Sequence, residues 1–214
     1  MSFHTLILAA LFIVSAGTAE ANTPDDLIRP IQDQWAEIKY RLPEKQQAEH
    51  YNKLATQARK VVESNPGVAE PLIWEGIVLS SEAGAKGGLG ALGLAKEAKQ
   101  RFEEALKLND KALAGSAYTS LATLYAKVPG WPLGFGDNKR AEELFKKSLA
   151  INPTGIDPNF FYGEYLADNN RGAEARTYLE AALKAAPRAG RELADSGRRQ
   201  EIQALLAKLN KEGK

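Results

Sequence analysis

Cysteine is absent from the 214-residue chain, and there are two histidines and one methionine. Without cysteine there is no disulfide framework, no thiolate nucleophile, no cysteine-type zinc site and no residue for an N-terminal lipid anchor. The histidines are His4 and His50. His50 lies at a helical position in QQAEHYNK with no candidate partner, and there it reads as a solvated surface residue rather than a general base. Charge of one sign is also lacking: 28 Lys and Arg against 27 Asp and Glu give a net charge of +1. That balance offers no electrostatic footprint for nucleic acid or an anionic membrane. Asp and Glu sit mostly three or four residues from Lys or Arg, as in KEAKQRFEEALK, the pattern of solvent-facing helix surfaces. These absences leave no catalytic constellation, metal site or cofactor site, so the chain reads as non-enzymatic.

Long hydrophobic runs are absent too. The longest, from Leu6 to Ala16, is shorter than the roughly 20 residues of a membrane-spanning helix. It is followed by small residues and by Ala19-Glu20-Ala21, an A-x-A cleavage pattern, so residues 1–21 read as a secretory signal peptide and 22–214 as one exported domain. Cleavage would remove Glu20 and no base, leaving 28 bases against 26 acids, or +2. The n-region contains neither Lys nor Arg, and the alternative reading of the segment is an uncleaved anchor or a buried N-terminal helix. The expected location is the periplasm.

What is present is a period. Three segments share Ala, a large apolar residue four later, and a small-Leu pair at seven and eight: Ala98/Phe102/Ala105-Leu106, Ala141/Phe145/Ser148-Leu149 and Ala175/Leu179/Ala182-Leu183. A fourth, Leu54/Ala58/Val61-Val62, is a degenerate first copy. This stripe marks one helix face, and each copy stops at Pro66, Asp110, Pro153 or Pro187. It resembles the second helix of the tetratricopeptide repeat, with its A-x3-F…P signature. First helices follow from Trp74 with Ile77-Val78, from Tyr118 with Leu121-Ala122 and Tyr125, and from Tyr162-Gly163 with Leu166. A small residue there lets a bulky one from the partner helix seat above it. TPDDLIRPIQDQWAEIKYRL supplies a capped first helix, and DSGRRQEIQALLAKLNKEGK a C-terminal capping helix with Asp195 as its N-cap. The predicted fold is all-α: about four antiparallel helix pairs stacked as a tetratricopeptide-like array, plus a cap.

The stopping positions are 44, 43 and 34 residues apart, and only the last is the ordinary spacing. The extra length falls between the first and second helices of repeats 2 and 3, as SEAGAKGGLGALGLAKE and PGWPLGFGDN. Gly88-x-Gly90-x-x-Gly93 in the former imitates a dinucleotide fingerprint, but no strand precedes it, so its glycines are expected to serve a tight excursion and close helix approach. In the latter, Pro129, Pro132 and three glycines shape a turn, and Asp137 is placed to N-cap the next helix. Trp131 and Phe135 have no purely local task. Either they pack on the neighbouring insertion and glue the array, or they wall an apolar pocket with Leu89, Leu92, Leu94, Trp74, Tyr118 and Tyr125. Arg188, Arg191, Arg198 and Arg199 cluster at the cap, either as an anion-docking site or paired with carboxylates and helix-end carbonyls.

YAKVPGWPLGFGDNKRAEELFKKSLAINPTGIDPNFFYGEYLAD and PRAGRELADSGRRQEIQALLAKL together resemble secreted bacterial tetratricopeptide proteins related to the T-component of tripartite ATP-independent periplasmic (TRAP) transporters. The likeness runs over most of residues 70 to 209 and rests on P-G-W-P-x-G-F-G-D and G-I-D-P-N-F-F-Y-G. It implies a periplasmic α-helical protein that associates with a transporter's solute-binding protein and holds an apolar ligand in a helix-walled cavity. The T-component is lipid-anchored, and here no cysteine could carry that lipid. Two functional readings stand at this stage: a periplasmic binding or adaptor module, and a scaffold for envelope assembly that grips peptides on its concave face.

Overall fold

The computed structural model describes residues 23–212, so residues 1–21, expected to be a signal peptide, lie outside the described residues. Nine α-helices occur among them: α1 (Pro24–Arg41), α2 (Glu44–Ser64), α3 (Ala69–Lys86), α4 (Gly88–Leu108), α5 (Ser116–Lys127), α6 (Asn138–Ile151), α7 (Ile156–Asp168), α8 (Gly172–Leu183) and α9 (Glu192–Glu212). The fold is an all-α, tetratricopeptide-like array of four antiparallel pairs, α1/α2, α3/α4, α5/α6 and α7/α8, capped by α9. α1 begins with a capping box, in which Thr23 and Asp26 satisfy each other's backbone donors, followed by Pro24. None of the described helices is long and apolar enough to cross a membrane.

The repeat stripe is the core. Ala98, Phe102, Ala105, Ala141, Phe145, Ser148, Ala175, Leu179 and Ala182 are all buried. Close approach is enforced by small residues: a Cβ on Gly163 would stand 2.9 Å from Leu179, and one on Gly76 would stand 2.5 Å from the Phe102 ring. In repeat 2 the bulky residue therefore seats over Gly76, not over Val78, where the alignment of first helices places the small position.

The two insertions take different forms. In repeat 2 the extra residues lengthen the helices to 18 and 21 residues, with a turn at Gly87 and Gly88, both at φ +63°. A left-handed backbone at two successive positions is what glycine permits. The remaining glycines do not mark close helix approach: a Cβ at Gly84 or Gly93 would meet nothing within 4 Å, and one at Gly90 would meet only the Lys86 side chain. In repeat 3 the extra residues form a true loop, held by Gly136 N–H donating to Pro129 O at 2.9 Å and Asp137 N–H to Tyr125 O at 2.9 Å. The Asp137 carboxylate caps α6 by accepting from Arg140 N–H at 3.0 Å.

The ends of the array meet. α9 packs not only on α8 and α7 but also on α1. Across that seam Tyr40 Oη donates to Glu201 at 3.3 Å, Lys39 Nζ lies 3.3 Å from the same carboxylate, and Gly197 leaves room for the Tyr40 ring. α9 starts at Glu192, so Asp195 sits inside the first turn rather than at the N-cap, and its carboxylate accepts from the Arg188 backbone and side chain instead.

Candidate functional site

Because the last helix touches the first, the concave side of the array becomes an inner cavity of about 1070 Å³. This is slightly above the usual range of small-molecule pockets, roughly 300–1,000 Å³. Its walls come from one face each of α1, α3, α5, α7 and α9. Apolar groups include Trp35, Trp74, Ile77, Leu124, Phe160 and Phe161; polar ones include Ser80, Ser81, Thr119, Ser120 and Thr123. Trp35 and Trp74 stand edge to face with centroids 6.0 Å apart, and Trp35 Nε1–H donates to Ser81 Oγ at 2.8 Å. Trp74 is 5 % exposed, and its indole N–H has no acceptor among the described residues.

Of the eight residues that the sequence groups into a pocket, Trp74 lines this cavity, and Leu92, Leu94, Tyr118, Tyr125, Trp131 and Phe135 do not. Tyr125 and Phe135 meet edge to face at 5.6 Å under the repeat 3 loop, with Lys99 Nζ 5.9 Å from each ring. Leu92 reaches the same edge, its Cδ1 3.4 Å from where a Gly134 Cβ would be, so the two insertions do meet there. Leu94 and Tyr118 are half-buried against the core, and Lys147 lies 5.6 Å over the Tyr118 ring. Leu89 belongs to α4, and its side chain is outside the described ones. Trp131 neither glues the array nor walls this cavity: it is 90 % exposed at the loop tip, beside Leu133 at 74 %. The physical reason is the path of the loop, whose returning strand of hydrogen bonds draws residue 135 over α5 and leaves residue 131 at the far end.

The arginine cluster divides three ways. Arg199 donates to the end carbonyls Leu183 O and Ala185 O of the α8 region at 2.5 and 2.8 Å. Arg188 pairs with Asp157 at 2.7 Å and Asp195 at 2.6 Å, and Arg198 with Asp157 at 3.0 Å and Glu201 at 2.6 Å. Burial pushes the Asp157 carboxyl up, but Arg198 and Arg188 outweigh it and hold it below the ordinary carboxylate value. Arg191 forms no ion pair among the described residues; its guanidinium lies 4.9 Å from the centroid of Trp74, on the cavity wall.

The charge pattern alone does not point to a second buried group. Glu75 is fully buried on α3, with Arg59 Nε at 3.1 Å and Arg101 Nε at 2.9 Å. Its signal is a lone acid inside the apolar run LIWEGIVL, unlike the surface pairs elsewhere. Burial pushes its pKa up against the pull of those two guanidiniums, consistent with a charge clamp between repeats 1 and 2.

Residues 133–209, from the repeat 3 loop through most of α9, match the tetratricopeptide repeat family model. No curated protein matches the chain. Tetratricopeptide arrays present extended concave surfaces, an architecture suited to binding other proteins.

Proposed function

We propose that this protein is a non-enzymatic, periplasmic binding and adaptor module, which holds a small molecule of apolar body inside its ring of helices and offers its outer surface to a protein partner. The observation that carries this reading is the 1070 Å³ cavity closed by the α1–α9 seam. The contact of α9 with α1 bounds the concave face around a space of ligand size. The A-x-A pattern at 19–21 supports export, and the resemblance to T-component-related proteins supports a transporter's solute-binding protein as the partner. The exposed Trp131 and Leu133 favour a protein contact at the repeat 3 loop, since aromatic anchors dominate interface energetics.

Native mass spectrometry of the protein purified from its own periplasm tests the reading. The expected result is a chain beginning at Asn22 that carries a small-molecule adduct, lost from a folded Ser120→Trp variant whose indole projects into the cavity. An adduct-free chain bound to an extended polypeptide would favour the envelope scaffold instead.

A further inference from the structure

Five cations and six carboxylates line the cavity, and three of the cations, Lys39, Arg188 and Arg198, are held in ion pairs. Three carboxylates at the closing seam, Asp157, Asp195 and Glu201, are fully engaged by Arg188, Arg198 and Lys39. Arg191 is left over. It stands just before the start of α9, half-buried and on the cavity wall, without a carboxylate in ion-pair reach among the described residues. Burial, and then the nearby Arg188, push its pKa below the usual value for arginine, as expected for a guanidinium whose charge is incompletely compensated. Arg29 adds a second cation at the rim, its Nη1 beside Gly190. Beneath the Arg191 guanidinium lies the Trp74 ring. A guanidinium without an ion pair among the described residues thus stands on the wall next to the apolar surface of Trp74, Ile77 and Leu124.

We propose that Arg191 anchors the head of an amphiphilic monoanion, a single carboxylate on an apolar body, with the body lying along Trp74, Ile77 and Leu124. The proposal rests on the reading of the cavity as a ligand site and names the class of its ligand. A carboxylate matches the planar fork of one guanidinium. Arg188 and Arg198 are already committed to carboxylates and Arg29 stands beside Gly190, which leaves Arg191 as the guanidinium over Trp74. The wall also carries Glu70, which has no ion pair among the described residues, so an amine of the same length is a discriminating control.

Calorimetric titration of the full chain with octanoate, 1-octanol and octylamine decides the matter. Octanoate is expected to bind roughly tenfold or more tightly than 1-octanol, the range of a charge-assisted hydrogen bond, and octylamine more weakly than either. Arg191→Gln should abolish the preference while leaving 1-octanol affinity unchanged, and Arg191→Lys should retain part of it. Equal binding of octanoate and 1-octanol would overturn the anion site while leaving the cavity reading intact. A preference that survives Arg191→Gln would overturn the assignment to Arg191, and failure of all three probes to bind would overturn both readings. If Arg191→Gln fails to melt cooperatively, the wild-type series and Arg191→Lys carry the decision.

Discussion

Trp131 and Phe135 are four residues apart in one loop, yet one is 90 % exposed and the other packs on Tyr125. Trp131→Ala should therefore change stability by no more than about 0.5 kcal/mol, as surface substitutions do. Phe135→Ala should cost measurably more, because it removes the edge-to-face contact and apolar area behind it; denaturant titration of the two variants checks the contrast. That both residues were aromatic and lacked a local role was legible in the sequence. Which of them turns inward was not, because it depends on where the loop's hydrogen bonds return the chain. Gly76 shows the complementary case. Glycine before an apolar run is an ordinary sight in a sequence, but the Phe102 ring 2.5 Å from its missing Cβ leaves no room for a methyl group. Gly76→Ala should cost roughly 1–3 kcal/mol, the range for overpacked cores, and an unchanged melting temperature would contradict the close approach at this position.

At the scale of the element, the repeat stripe was readable because period and packing coincide: each Ala-x3-large pair lies on the buried face of a second helix. Ala141, wholly buried in α6, is a direct test, and Ala141→Trp should overpack the pair by roughly 1–3 kcal/mol. The insertion of repeat 2 was legible as extra length but not as extra helix, since five glycines within ten residues argue locally for a loop. α3 and α4 pack against each other below the turn, where Glu82, Ala83 and Ala95 are buried, while residues 84–88 and 90 at its tip are exposed. Gly93 then sits in a helix with open space where its Cβ would be. Gly93→Ala should stabilise the protein by about 0.5–1 kcal/mol, the difference in helix preference between the two residues. A loss of stability in thermal or denaturant unfolding would mean that the segment is not helical in solution.

For the whole molecule, the decisive feature is closure, and it was the least legible. The periodicity of each repeat describes contacts with neighbours, whereas the meeting of α1 and α9 depends on curvature accumulated over four helix pairs. The cap sequence nevertheless contains the parts of the seam: Arg188, Asp195, Arg198 and Glu201 are all engaged there, with Asp157 from α7 between the two arginines. Asp157 gives the seam a pH dependence whose sign can be worked out. Its folded pKa lies below the ordinary aspartate value because Arg198 and Arg188 face it, so the ionised form is favoured by folding. The stabilisation is complete above the unfolded carboxylate value near 4 and is lost as pH falls through that value towards the folded one. At neutral pH, Asp157→Asn should cost roughly 1.5–3 kcal/mol, the range for hydrogen bonds to charged groups. Urea unfolding at a series of pH values should show the wild type and Asp157→Asn converging on acidification below about pH 4, because protonation removes from the wild type what the substitution removes from the variant. Parallel curves would mean that Asp157 is not ionised by its two arginines in the folded protein, and the ring would then owe its closure to the packing of Tyr40 and Gly197 rather than to charge.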